Sequence, residues 1–283
     1  MTSKKIDALH RLADAPYGPH AEYLRRKQEF HARMLNGGPN LTWARAWVVA
    51  EQPTRERADA GRSARSLSEI SRTLSAVRQS VKHELVMVMA YYVPGKRGVE
   101  VLSELTARGV KVRVLTNSLA STDLLPVFVG YSRYRESLLA SGVDLYEYRA
   151  DAQRPAPNGH VMRPENTDSA LHAKVIVYDR RFVWIGSANS GPRSRRLNTE
   201  VGFLIESAPL AERVLKAIER DFAPGQSWRL ELEYDASAGA SRLAWIGERD
   251  GKSVHLYEEP DASVSRQLGV MFYSLVPGLE DHL

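Results

Sequence analysis

Short apolar runs alternate with amphipathic stretches along most of the chain, and that alternation sets the expected architecture. Glu84–Tyr92 (ELVMVMAYY) reads as a buried strand closed by Pro94-Gly95. Val99–Arg108 follows as a helix with Gly109 at its end, and Val110–Leu115 as the next strand. A second helix over about Tyr131–Ala140 and a strand over Val143–Tyr148 repeat the unit. Two successive strand–helix–strand units predict an α/β domain, its mixed, largely parallel sheet flanked by helices. Leu171–Tyr178 and Phe182–Ile185 are expected as strands joined by a turn at Asp179-Arg180-Arg181, then a strand at Thr199–Ile205 and a helix at Leu210–Phe222. Beyond Pro224-Gly225, the segments Arg229–Tyr234, Arg242–Ile246 and Val254–Tyr257 read as short strands, and Val264–Ser274 as a closing helix.

The front of the chain has a different pattern. Tyr23-Leu24, Phe30 and Met34-Leu35 recur at near-helical spacing until Asn36-Gly37-Gly38-Pro39 stops them. Trp43–Ala50 looks like a strand, residues 52–66 like an exposed connection, and Ser66–His83 like a helix with Ser66 as N-cap and Glu69 completing a capping box. Three parts result: an N-terminal helical and loop segment (1–79), the α/β domain (80–225) and a small β-rich extension with its closing helix (226–283). Residues 150–169 hold three prolines and form a long loop, of the kind that is often functional.

Composition narrows the chemistry. With 283 residues, 43% hydrophobic and 26% charged, the chain is globular rather than disordered. The absence of cysteine excludes a disulfide framework, a thiolate zinc site and a cysteine nucleophile. No apolar run approaches the roughly 20 residues that span a bilayer. The N-terminus lacks the apolar core of a signal peptide, because Asp7, His10, Arg11 and Asp14 interrupt it. A soluble or peripherally attached protein is therefore expected, cytoplasmic or at a membrane surface. The net charge of +5 is concentrated in residues 1–80, where 14 basic side chains face 8 acidic ones, while residues 226–283 are net acidic. That excess is too small to select nucleic acid over lipid. His10, His20 and His31 lack metal-ligand spacing, no metal site is expected, and the five tryptophans are read as core residues.

The informative stretch is His172-Ala-Lys174, four residues, Asp179, six residues, then Gly186-Ser187-Ala-Asn189. Residues two apart on a strand share a face, so His172 and Lys174 are expected side by side. An imidazole beside an ammonium suits a phosphate: the cation holds the anionic oxygens while the imidazole attacks phosphorus or passes a proton. Ser187 and Asn189, ending the adjacent strand, can donate to the same patch. Glu200, on the following strand, can orient the imidazole by accepting from its second nitrogen.

This spacing resembles, at every fixed position, the HKD motif of the phospholipase D superfamily. Six fixed residues match by chance on the order of a few times per million chains of this length. Further segments, Tyr91-Tyr92-Val93-Pro94-Gly95, Arg108-Gly109-Val110-Lys111-Val112, Thr116-Asn117-Ser118-Leu119, Arg193-Ser194 with Leu197-Asn198-Thr199-Glu200, and Glu259-Pro260, are similar to the C-terminal half of bacterial cardiolipin synthases of the C type. The resemblance implies a phosphoryl transfer without metal or other cofactor, through a phosphohistidine intermediate, on a phospholipid at an anionic membrane surface. Carried over by position, His172 is catalytic, Lys174 and Asn189 hold phosphoryl oxygens, and Glu200 orients the histidine. Asp179 and Ser187 are supporting residues; Tyr92, Asn117, Arg195 and Arg196 are candidate substrate contacts.

One departure bears on activity. The resembled enzymes carry two such motifs, and none of the other seven histidines here has lysine two residues on. The missing motif could come from a second copy of the chain, as in single-motif nucleases of the superfamily, or from a partner chain. A truncated copy that only binds lipid or anions is the third reading. The lipid-like segments favour phospholipid over nucleic acid.

Overall fold

The computed structural model describes residues 42–51, 68–152, 154–155, 161–162, 170–196, 198–237 and 239–279, together with positions 25, 28, 29 and 32. The chain divides into two compact units, residues 1–43 and 44–283. In the first, Arg25, Gln28, Glu29 and Ala32 are helical, and Arg25 pairs with Glu29 one turn on. The rest of the expected N-terminal helix, the connection 52–66 and most of the loop 150–169 lie outside the described residues.

The second unit opens with β1 (Arg45–Ala50), α1 (Glu69–Gln79), β2 (Glu84–Met89), α2 (Gly95–Ala107) and β3 (Lys111–Asn117). It continues with α3 (Leu125–Ser132), α4 (Arg135–Ala140), β4 (Asp144–Tyr148), the two-residue strands β5 (Arg154–Pro155) and β6 (Val161–Met162), then β7 (Lys174–Tyr178) and β8 (Phe182–Gly186). The last part holds α5 (Pro192–Arg196), β9 (Val201–Glu206), α6 (Ala208–Glu219), β10 (Ser227–Asp235), β11 (Ala240–Arg249), β12 (Lys252–Leu256) and α7 (Val264–Ser274). Ten strands form one sheet in the order β1-β9-β8-β7-β2-β3-β4-β10-β11-β12.

The α/β class is as expected, but the sheet is mostly antiparallel. Only β2–β3 and β3–β4 run parallel; the other seven neighbouring pairs are antiparallel. The reason lies in the connections. Helical crossovers enforce parallel pairing only as far as β4. After that, Asp179 and Arg180, with φ of 47° and 52°, make a tight turn that folds β8 straight back on β7. The helix expected over 131–140 is two, with Arg133 and Tyr134 between α3 and α4. The N-cap of α1 is Ser68 rather than Ser66: its hydroxyl accepts from the Ser71 N–H.

Helices cover both faces of the central strands. On one face Leu85, Met89, Val112, Val114, Leu145, Ile176 and Trp184 pack with Ile70 of α1, Leu102 and Leu105 of α2, Phe128 of α3 and Leu138 of α4. On the other, Val86, Val88, Leu115, Val177 and Val183 meet Ala211 and Leu215 of α6. Burial on both faces explains the uninterrupted apolar run of β2.

The C-terminal strands extend the same sheet through β10, which pairs with β4. Beneath that junction Glu147 is fully buried and accepts from Tyr131 (2.9 Å), Trp245 (2.9 Å) and Arg135 (3.2 Å). Arg135 also donates to Glu259 at 2.6 Å, which ties the C-terminal segment to α4. Trp184, Trp228 and Trp245 are core residues as expected, whereas Trp43 and Trp47 are exposed. β1 is an edge strand of which only Val49 is buried.

Candidate active site

The motif residues converge on one edge of the sheet, beyond the carboxyl ends of the parallel strands β2 and β3, where α/β folds place ligands. His172 lies two residues before β7, Asn117 ends β3, Ser187 and Asn189 follow β8, and Glu200 precedes β9.

Buried polar groups fix these segments. The Asn117 side chain donates to the carbonyls of Ala90 (3.0 Å) and Leu171 (2.9 Å), and its oxygen accepts from the Leu171 N–H (2.9 Å) and the Ser121 hydroxyl (3.1 Å). Ala90 N–H donates in turn to Ala173 O at 2.9 Å, so the residues on either side of His172 are both anchored. At the far end of β7, the Asp179 carboxylate accepts from the backbone N–H groups of Lys82, His83 and Glu84 at 2.8–2.9 Å. Burial opposes its ionisation, but the three donors outweigh burial and hold the carboxyl below its usual range. Asp179 therefore fastens the start of β2 to the β7–β8 turn, away from the reactive edge.

Gly186 has a packing reason. A Cβ there would stand 2.7 Å from the Val201 carbonyl, and one at Gly202 would fall 2.4 Å from the buried Trp184 ring. The indole fills the space that two glycines leave in β8 and β9, which brings Ser187 up to Val201, whose carbonyl accepts from the Ser187 N–H at 2.8 Å.

His172 and Lys174 both lie against Tyr91. The exposed imidazole meets the phenol ring edge-on, with centroids 6.1 Å apart, and the Lys174 ammonium sits 5.6 Å from the ring centre. Lys174 donates one hydrogen to the His172 carbonyl at 3.1 Å. Burial lowers its pKa, against the opposing charges of Glu200 and Asp123. The Tyr91 hydroxyl donates to both Asp123 oxygens at 2.9 Å; burial and that carboxylate push its pKa up to about 12.

Glu200 departs from the expectation. Among the described residues no hydrogen bond joins it to His172. Its oxygens accept from Ser187 (2.5 Å), Ser194 (2.8 Å) and Asn198 (3.0 Å). Burial raises its pKa, yet these donors hold the carboxyl below its ordinary range. It organises the turn after β8. Asn189 sits in that turn, and its side-chain oxygen accepts from the Tyr91 N–H at 3.3 Å, which leaves the amide NH2 to donate elsewhere.

Two candidate substrate contacts are interior. Tyr92 is buried, its ring 6.1 Å from Tyr131, and Asn117 is the clamp just described. Arg195 is half-buried in α5, and Arg196 ends that helix. Sequence reasoning missed Tyr91, Asp123 and Ser194 as parts of the site; Tyr91 stood beside a chosen residue, but no spacing rule connects it to Asp123. An imidazole, an ammonium and an amide on one edge can bind a phosphodiester's oxygens while presenting a nucleophile or proton donor. Among the described residues no group of three His, Asp or Glu could hold a metal ion, and no helix is long and apolar enough to cross a membrane.

A family model described as cardiolipin synthase, PLD-like domain matches residues 76–222. Cardiolipin synthase C of Escherichia coli K12 is 30% identical over 295 aligned positions, covering 97% of this chain and 60% of that protein. An uncharacterized protein of Helicobacter pylori J99 is 31% identical over 202 positions, covering 71% of this chain and 38% of its own length. The chain thus spans less than two thirds of the length of either curated relative. Among solved structures, Nuc from Salmonella typhimurium, a phospholipase D family member, aligns with a TM-score of 0.46 at 19% identity, covering 67% of this chain and 99% of that one.

Proposed function

The chain belongs to the cardiolipin synthase family of PLD-like domains, and from that membership and the site we propose that it supplies one half of a phosphatidyl-transfer centre. In this reading an imidazole nitrogen of His172 attacks the phosphorus of a phospholipid. The P–O bond to the departing alcohol breaks, and that alcohol takes a proton from a second histidine. The resulting phosphohistidine is then displaced by an acceptor alcohol or by water, which restores the imidazole. Lys174 and the Asn189 amide neutralise and orient the phosphoryl oxygens as charge develops. The second histidine comes from another copy of the chain across a two-fold axis, or from a partner chain with the equivalent motif.

The observation that carries the reading is the meeting of His172, Lys174 and Asn189 around Tyr91 at one sheet edge. The test is incubation with phosphatidylglycerol vesicles, reading glycerol release and cardiolipin formation, with sedimentation mass measured in parallel. His172→Ala is expected to lower turnover at least about 10³-fold. Equal turnover by the variant removes His172 from the chemistry, and DNA cleavage without lipid turnover replaces the lipid reading with a nuclease one. A strictly monomeric active chain sinks the shared site.

A further inference from the structure

Helix α7 has two faces of opposite character. Val264, Leu268, Met271, Phe272 and Leu275 are each 60–77% exposed, and no residue of the helix is buried. At about 100° per residue these five side chains fall within a stripe about 100° wide. The opposite face is the one that docks. A Cβ at Gly269 would stand 2.7 Å from Leu125, so glycine lets α7 lie close on α3. Arg266 donates to the carbonyls of Leu119 (3.1 Å) and Thr122 (2.6 Å), and Arg133 donates to the Ser274 carbonyl. A helix seated firmly by its less apolar side, with its apolar side turned outwards, presents that stripe to something outside the unit.

We propose that α7 is an interfacial helix that seats the protein on an anionic lipid surface, its stripe entering the boundary between headgroups and acyl chains. The inference rests on the lipid-substrate reading and adds the surface by which the site reaches its substrate. Three observations favour a bilayer over a protein as occupant. Five side chains are far fewer than the roughly 20–30 residues per partner of a stable protein interface, whereas a bilayer sets no minimum. Residues 262–279 contain no carboxylate, so no charge on the stripe itself opposes anionic headgroups, and the exposed Arg133 stands at the far end of the helix. Position is the third. The Leu119–Thr122 backbone held by Arg266 leads directly into Asp123, whose carboxylate accepts from the hydroxyl of Tyr91, and the Tyr91 ring meets both His172 and Lys174. The apolar stripe is thus carried on the rim of the site, where a phosphodiester in a headgroup layer would arrive.

The experiment is co-sedimentation of the whole chain with phosphatidylglycerol vesicles, compared with phosphatidylcholine vesicles. Leu268→Glu with Phe272→Glu is expected to lower the bound fraction at least tenfold, while Val48→Glu, on the exposed edge strand, leaves it unchanged. Because the chain has no cysteine, Met271→Cys can carry a single polarity-sensitive fluorophore. Its emission should shift to the blue on phosphatidylglycerol, and the same label at Ser241→Cys should not respond. Unchanged vesicle binding by the double variant, a silent label at position 271, or no binding by the wild type overturns the proposal. A change in solution mass in place of vesicle binding also overturns it and makes the stripe a self-association face. Stripe-dependent binding without lipid turnover sustains the inference and defeats the reading in which a second copy of the chain completes the phosphatidyl-transfer centre; lipid turnover that the double variant leaves intact does the reverse.

Discussion

Asp179 is the clearest case of a motif residue whose work is structural. Its carboxylate gathers three backbone N–H groups from the start of β2, and its φ of 47° is one that aspartate and asparagine tolerate better than most residues. Asp179→Asn keeps the turn but loses the charge, and is expected to cost about 1–2 kcal/mol in urea unfolding. The acid limb should change as well. The folded-state pKa is depressed, so the unfolded chain binds the proton more readily. The contribution is therefore complete above the ordinary aspartate range and is lost as pH falls through the folded value. The Asn variant should lack that part of the acid slope; an unchanged slope would deny the carboxylate this role. At this scale the motif was legible because six residues sit at fixed separations within one stretch of 18. Tyr91 and Asp123 were not, because their bond spans 32 positions and depends on where two strand ends happen to meet. The bonds of Glu200 were not legible either: Ser187, Ser194 and Asn198 all donate to its oxygens, and no periodicity joins the three.

Among the elements, β2, α2, β3 and β4 follow from periodicity, the division of 125–140 into α3 and α4 does not, and α7 was legible to the residue. Strand direction was not. A helical crossover reveals itself as an amphipathic stretch, whereas the antiparallel returns after β4 depend on a tight turn and on a segment without regular pattern. The start of α1 shows how caps compete. Two serines stand two residues apart, and the one that caps is Ser68, whose hydroxyl reaches the Ser71 N–H at 3.0 Å while Glu51 accepts from the Ile70 N–H at 3.1 Å. Ser68→Ala should destabilise the fold by about 1 kcal/mol in thermal or urea unfolding. Ser66→Ala should be near neutral, and the reverse ranking would reinstate the earlier cap.

For the molecule as a whole, the C-terminal strands and tail are joined to the sheet through a buried acid. Burial pushes the Glu147 carboxyl up to about 7, with the Arg135 charge acting against it. A carboxyl whose pKa is raised on folding binds its proton more tightly in the native state. Its favourable contribution is thus present below the unfolded value and is lost as pH rises through about 7. Unfolding followed from pH 5 to pH 8 should show this decline, and Glu147→Gln should flatten it; a variant with the same slope would place the titration elsewhere. The similarity at Glu259-Pro260, noticed in the sequence as a likeness to lipid enzymes, acquires a physical role here, because Glu259 closes the Arg135 ion pair.

The Asn117 amide has one more consequence, and it concerns chemical wear. Its NH2 faces two carbonyls, and its oxygen faces an N–H and a hydroxyl. Deamidation would exchange a single nitrogen for oxygen and leave the shape almost untouched. It would also set the new oxygen against two carbonyl oxygens inside a buried pocket, at the backbone of Leu171, the residue before His172. The same rigidity that holds the imidazole in place leaves the site no way to relax around such a lesion, so ageing at one side chain would reach the reactive edge without unfolding the protein.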